Sequence, residues 1–241
     1  MGGRVLVTFD VDGTLCRSVG EDANQMHKAA FRHAHVAVFG PVADVSIDII
    51  RHHGCTDPMV SARTLGAVGI GAHDAEARWP EVARKMVEYV EERTDQAAVG
   101  LNVLPGVVAL LEHLQRKGCL VGLVTGNLEP IGWAKMRALG LHHLFTKPTF
   151  GGFGSDHSDR GELVAIAGRR ARELFPDDEV VDHWHVGDTP ADVQAAVAGG
   201  VSALGVCTGI FSREELLEAN PRATVVTDLS VTDAVLKVLL G

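Results

Sequence analysis

The residues most clearly able to do chemistry in this chain are Asp10 and Asp12, one residue apart at the end of the run Val5-Leu6-Val7-Thr8-Phe9. A short apolar run of this kind reads as a buried parallel strand, because neither of its faces can meet water. Gly13-Thr14 then bends the chain and ends the strand. Two carboxylates at the mouth of a buried strand repel one another. They are costly to desolvate unless a cation or a proton lies between them. The pair therefore points to a site that holds a metal, not to a folding role.

Two more strand ends carry polar groups. Val121-Gly122-Leu123-Val124 runs into Thr125-Gly126-Asn127. Gly126 permits close backbone approach, and Thr125 and the backbone amides there are donors for an oxyanion or a phosphoryl oxygen. Trp184-His185-Val186 runs into Gly187-Asp188-Thr189-Pro190-Ala191-Asp192. Asp188 falls where that strand ends. Asp192, four residues on, reads either as a further acid of the site or as a helix-start residue favoured by the helix dipole.

Taken in order, Asp10-Val11-Asp12-Gly13-Thr14, Thr125 and Gly187-Asp188-Thr189-Pro190-Ala191-Asp192 resemble the first, second and fourth motifs of the haloacid dehalogenase (HAD) superfamily. The chain is most similar to its phosphoglycolate-phosphatase-like members, over its whole length. The resemblance implies a magnesium-dependent phosphomonoester hydrolase acting on a small phosphometabolite. In that scheme Asp10 attacks phosphorus and becomes an aspartyl phosphate. Asp12 protonates the leaving oxygen and then activates water. Thr125, Gly126 and Asn127 hold phosphoryl oxygens. Asp10, the backbone carbonyl of Asp12, and Asp188 bind Mg²⁺, with Asp192 supporting the metal or its waters. Oxygen donors suit magnesium, which reduces repulsion between a carboxylate nucleophile and a phosphate dianion. Asp12 has to meet the leaving group protonated, so surroundings that raise its pKa are expected.

The third motif departs from the usual pattern. A Lys-Pro pair exists at Lys147-Pro148, but it follows Phe145 closely and precedes Gly151-Gly152-Phe153-Gly154-Ser155-Asp156. The next helix begins near Asp159-Arg160, which puts Arg160 about where the cation of the site belongs. A guanidinium also pairs better with oxyanions. Arg160 is therefore favoured over Lys147 as the phosphate-binding cation. Arg17, Ser18, Gly54 and Thr56 are candidates for contact with the rest of the substrate, because they follow the first motif or lie in a glycine turn with polar neighbours.

Strand-like runs at Val5–Phe9, Leu120–Val124, Val180–Val186 and Val201–Val206 alternate with helical patterns from Leu104 onward. A short strand near Leu144-Phe145 and an edge strand at Val225-Val226 are also expected. Repeated strand–helix units make a doubly wound parallel sheet with helices on both faces, and catalytic groups then sit at the carboxyl ends of its strands. Between the first two strands the pattern is helical. Asp22–Phe39, Ser46–His52, Asp57–Leu65 with Asp57 as N-cap, and Trp79–Arg93 are the expected helices. The expected architecture is an α/β core of residues 1–15 and 100–241, with a helical cap of residues 16–99 inserted after the first strand. A cap at that point overhangs the chemistry and excludes water from it.

Composition narrows the function further. A net charge of −9 argues against general affinity for nucleic acid. No apolar span reaches membrane-crossing length, and no signal peptide precedes the first strand, so a cytoplasmic protein is expected. Cys16, Cys55, Cys119 and Cys207 are scattered without a Cys-x-x-Cys spacing, as free thiols would be. The partner is then a small phosphate ester, with oligomeric state unread. The alternatives are a phosphosugar mutase built on the same carboxylates, and a non-catalytic phosphate-binding regulatory protein. Carbon–halogen displacement needs neither Asp12 nor a metal. A phosphonate hydrolase would want a cap lysine, and the first cap segment offers only Lys28.

Overall fold

A computed structural model describes residues 3–241 of the chain. The order of elements begins β1 (Arg4–Phe9), β2 (Cys16–Ser18), α1 (Gln25–Phe39), α2 (Asp57–Ala67), α3 (Ala72–Ala77), α4 (Trp79–Glu91) and β3 (Leu101–Val103). It continues α5 (Val107–Arg116), β4 (Leu120–Thr125), α6 (Glu129–Ala138), β5 (Gly151–Phe153), α7 (Arg160–Leu174) and β6 (Val180–Gly187). It closes with α8 (Pro190–Ala198), β7 (Ser202–Val206), α9 (Arg213–Ala219), β8 (Thr224–Val226) and α10 (Thr232–Leu240).

Six strands form one parallel sheet in the order β5-β4-β1-β6-β7-β8. The apolar run of β1 lies between β4 and β6 because a strand buried on both faces is the natural centre of a parallel sheet. Its side chains divide between the faces. Val7 and Phe9 join the cluster built with α5 and α10, and Leu6 packs on the opposite side with Phe150 and Ala171. Since β4 and β6 flank β1, the chain's winding reverses at β1. The carboxyl ends of these three strands therefore open on one crevice, where doubly wound folds bind ligands.

The segment between β1 and β4 is helical, apart from β2 and β3. Those two short strands pair antiparallel, Cys16 with Val103 and Ser18 with Leu101. They form a ribbon at the root of the insert that three-residue runs do not announce in the sequence. Within the insert, Met26, Phe31, Val60, Val82 and Met86 share one buried cluster with Leu128, which caps α6, and with Ile131 and Ala134 of α6. So α6 is the platform on which the insert rests.

Several elements differ from expectation. Leu144-Phe145 is not a strand: a 3₁₀ turn covers His142–Leu144, and the edge strand is Gly151–Phe153. Ser46–His52 shrinks to a 3₁₀ turn at Ile47–Ile49, capped by Ser46. Helix α3 lies just beyond the glycines that break the pattern after α2. Asp57 is the first residue of α2, with Thr56 as N-cap, and its carboxylate reaches elsewhere, as described next.

Candidate active site

Asp10 lies just past the carboxyl end of β1, and its N–H donates to Val186 O at 2.9 Å, which locks it beside β6. Asp188 follows the end of β6, and Asp192 is the third residue of α8. All three are buried, and one oxygen from each lies within 4.8 Å of the others. Asp192 proves to be both things the sequence allowed. Its Oδ2 closes a capping box, accepting from Thr189 N at 3.0 Å and Thr189 Oγ1 at 2.7 Å. Its Oδ1 pairs with Arg160.

Arg160 opens α7 and lies between two acids, 3.3 Å from Asp10 Oδ1 and in direct contact with Asp192. Its Nε is buried without a partner, a donor left for an acceptor that comes from outside. Lys147 is not part of this group. It is exposed, and its Nζ lies 3.0 Å from His142 O. Of the two cations, the one beside Asp10 is Arg160.

The electrostatics follow from crowding. Burial, then the charges of Asp192 and Asp12, push Asp10 up from 3.8 to about 7 in spite of Arg160. Burial and the neighbouring Asp10 and Asp192 push Asp188 to about 8. Burial would raise Asp192 too, but the Arg160 charge outweighs it and holds that carboxyl well below the usual range. Thus two of three clustered acids lack the positive charge that would keep them ionised. Gly13, at φ +97°, and Gly209 clear the space around Asp188, since a Cβ at either would overlap its carboxylate. Thr14 Oγ1 donates to Asp188 Oδ1 at 3.1 Å. An all-oxygen, glycine-cradled cluster short of one cation fits a hard divalent ion.

Asp12 faces different company. Lys135 Nζ donates to both of its oxygens, at 2.9 and 2.7 Å, and Asn127 Nδ2 donates to Oδ2 at 2.9 Å. Burial alone would raise its pKa, but the charges of Lys135 and His27 outweigh it, and the carboxyl is lowered. This is opposite to the direction expected from the sequence, and the reason is a cation that no motif marks. Lys135 is fully buried on α6. It falls four residues after Ile131 on the apolar face of that helix, and a lysine there needs a buried partner. That misplaced charge was the available signal. His27 and Asp57 were likewise unmarked: His27 Nδ1 is 3.4 Å from Lys135 Nζ, and His27 Nε2 is 3.2 Å from Asp57 Oδ2.

A cavity of about 360 Å³ joins these groups, bounded by Asp10, Asp12, Gly126, Asn127, Arg160 and Asp188 on the core side. Arg17, Ser18, Gly54, His27, Phe31 and Val60 line the other side. Thr125 is fully buried beside this wall, and its Oγ1 accepts from Asn127 Nδ2 at 2.8 Å. Gly126 is required here by a close approach, because a Cβ would strike the Cys55 carbonyl. Thr56 stands apart from the cavity wall. It is buried, and its Oγ1 donates to Ser158 O at 3.2 Å. Cys16 is a buried thiol pushed up by desolvation, and all four cysteines are free.

A larger open groove, about 900 Å³, lies at the amino-terminal ends of β6 and β7 beside Arg172, His183 and Arg222. It is at the wrong end of the sheet for this chemistry.

The model of the family described as haloacid dehalogenase-like hydrolase matches residues 5–200. The chain is 28% identical to a phosphoglycolate phosphatase of Rhodospirillum rubrum over 216 residues, covering 86% of this chain and 81% of that protein. It is 25% identical to a phosphoglycolate phosphatase of Synechococcus elongatus, covering 97% and 98% of the two chains. Among solved structures, a predicted phosphoglycolate phosphatase from Haemophilus somnus shares the fold with a TM-score of 0.65 at 20% identity, over 98% of this chain and 99% of that one. A haloacid dehalogenase-like hydrolase from Bacteroides fragilis superposes with a TM-score of 0.65 at 18% identity, over 95% and 99%.

Proposed function

The chain belongs to the haloacid dehalogenase-like hydrolases and is a phosphatase, and from that premise we propose that it hydrolyses a small phosphomonoester through an aspartyl phosphate on Asp10, with Mg²⁺. The observation that carries this reading is the division of labour between the two acids of the first motif. Asp10 sits with Arg160 and the acidic cluster. Asp12, two residues on, is turned to Lys135 and Asn127 instead.

Each residue then has one task. Arg160, with its unpartnered Nε–H, takes a phosphoryl oxygen and keeps Asp10 aligned. Thr125 has its Oγ1 lone pairs occupied by Asn127, so its own O–H is free to donate to a second phosphoryl oxygen. An Asp10 oxygen forms a bond to phosphorus as the bond to the leaving oxygen breaks; Asp12, a carboxylate in the free enzyme, takes the proton of the monoanionic ester as substrate enters and passes it to that oxygen. Asp12, now a carboxylate, takes a proton from water as the water attacks phosphorus, and the Asp10–phosphorus bond breaks. Asp10, Asp188 and the backbone carbonyl of Asp12 are the groups that would hold Mg²⁺, with Asp192 behind them. The ion supplies the positive charge that lets a carboxylate approach a phosphate dianion.

The substrate proposed is a phosphoglycolate-like ester. The cavity volume suits a small ester, the named relatives are phosphoglycolate phosphatases, and Arg17 lines the cavity, where its guanidinium would meet an anionic tail. The test is hydrolysis of p-nitrophenyl phosphate and phosphoglycolate, with and without Mg²⁺, by the wild type and Asp10→Asn. Metal-dependent phosphate release that Asp10→Asn abolishes supports the reading. Full turnover by Asp10→Asn, or no metal-dependent release at all, overturns it.

A further inference from the structure

Lys135 is a fully buried, multiply hydrogen-bonded side chain that no motif predicts. Its ammonium is fully buried and meets both oxygens of Asp12, Asn127 Oδ1 at 2.9 Å and His27 Nδ1. Burying an ammonium is expensive unless it is paired and hydrogen-bonded. So the fold has placed it there against a cost, and what it buys is a fixed Asp12. The Asp12 side chain is 34% exposed. Without a grip it would be free to rotate in the cavity. Lys135 holds both oxygens, and Asn127 adds a bond to Oδ2 alone. Oδ1 therefore carries one hydrogen bond and keeps a lone pair for a proton, while Oδ2 is saturated.

The grip also reaches the insert. His27 comes from α1 and Asp57 from α2, while Lys135 and Leu128 lie on or beside the start of α6 in the core. Asp57 Oδ2 accepts from Leu128 N at 2.8 Å and lies 3.2 Å from His27 Nε2. The result is a continuous buried path, Asp57–His27–Lys135–Asp12, that is complete only with the insert seated on α6.

We propose that Lys135 is a positioning residue for departure of the leaving group: it aims Asp12 Oδ1 at the leaving oxygen, and His27 and Asp57 make that aim depend on a seated insert. The proposal rests on the hydrolase reading above, in which Asp12 is the proton donor. It predicts a dependence on the leaving group. An alkoxide needs a proton as it departs, whereas a nitrophenolate leaves without one. The ratio kcat/KM stops at the first irreversible step, so it reads leaving-group departure and not the later attack of water.

The experiment measures kcat/KM with Mg²⁺ for an alkyl phosphate and for p-nitrophenyl phosphate. For Lys135→Met the alkyl value falls about 100-fold or more and the aryl value less than about 10-fold, in line with the size of general acid catalysis. Asp12→Asn shows the same asymmetry, and adding Lys135→Met to it lowers the alkyl value no further. His27→Ala and Asp57→Asn lower the alkyl-to-aryl ratio several-fold. Circular dichroism and thermal unfolding check each variant. If Lys135→Met does not fold, Lys135→Arg and His27→Ala decide on the same ratio. Equal losses on both substrates, or additive losses in the double variant, overturn the proposal while an active wild type and an inactive Asp10→Asn leave the hydrolase reading standing. A wild type without metal-dependent turnover overturns both.

Discussion

Arg160 and Lys147 show most directly how single residues divide between chemistry and surface. Both were candidates for the cation of the site, and only Arg160 reaches Asp10. Arg160→Ala is expected to lower kcat by several orders of magnitude, because the loss of one preorganised oxyanion donor alone costs about 10²–10³. Lys147→Ala should change it less than about threefold; steady-state kinetics on an aryl phosphate would separate them, and the reverse ranking would contradict the assignment. Asp10, Asp12, Asp188 and Asp192 were legible because acids at strand ends have few structural uses. Lys135 was not, because its role depends on which side of α6 faces the insert, and that is a tertiary fact. The sign of the Asp12 shift followed from the same gap. Without Lys135 in view, burial is the only force to reckon with, and burial raises a carboxyl.

At the scale of elements, α6 and α8 brace the site, through Lys135 on Asp12 and Asp192 on Arg160. Leu128, at the N-cap of α6, and Ile131 on its buried face are shared with the insert. Ile131→Ala opens a void in that shared cluster and should cost about 2–5 kcal/mol in chemical denaturation. It should also raise KM more than it lowers kcat, if seating of the insert is what assembles the cavity. In α8, Thr189 both caps the helix and holds Asp192 Oδ2. Thr189→Ala should lose about 1 kcal/mol of stability as an N-cap deletion, together with activity, since Asp192 is then free to turn from Arg160. An unchanged kcat in a destabilised variant would limit Thr189 to its capping role. The long elements are readable from pattern: β1 and β4 as apolar runs, β6 as a β-branched and aromatic stretch ending in Val186-Gly187, and α1, α4 and α7 as amphipathic stretches. The short ones are not. Three-residue strands such as β2, β3 and β5 hold their place through partners distant in sequence, and Leu144-Phe145 is apolar because it packs with Trp133, not because it is a strand.

The whole molecule binds these levels through its charge balance. Asp10 and Asp188 keep protons in the folded state up to about pH 7 and about pH 8, where an unfolded chain, with carboxyls near 3.8, has released them. The metal-free fold therefore loses stability as pH rises from about 4 to about 8. Asp192 has the opposite sign, being held low by Arg160 after burial is overcome, and its contribution persists throughout that range. A cation that binds the deprotonated cluster offsets the loss and releases protons on binding. Thermal unfolding should show a larger Mg²⁺-induced rise in Tm at about pH 8 than at about pH 5.5, and an equal rise at both would contradict this placement of the ion. Gly209→Ala, which forces Asp188 aside, should abolish most of the Mg²⁺-induced rise. No helix among the described residues is long and apolar enough to cross a membrane.

The central claim is that the reaction passes through a covalent bond to Asp10. Rapid acid quenching of the enzyme during turnover with Mg²⁺ and substrate, followed by peptide mapping by mass spectrometry, tests it most directly. The account predicts a phosphoryl group on the peptide containing Asp10, at that residue, which is absent from Asp10→Asn. Phosphorylation of a different residue, or wild-type phosphate release by Asp10→Asn with no phosphopeptide, would contradict it.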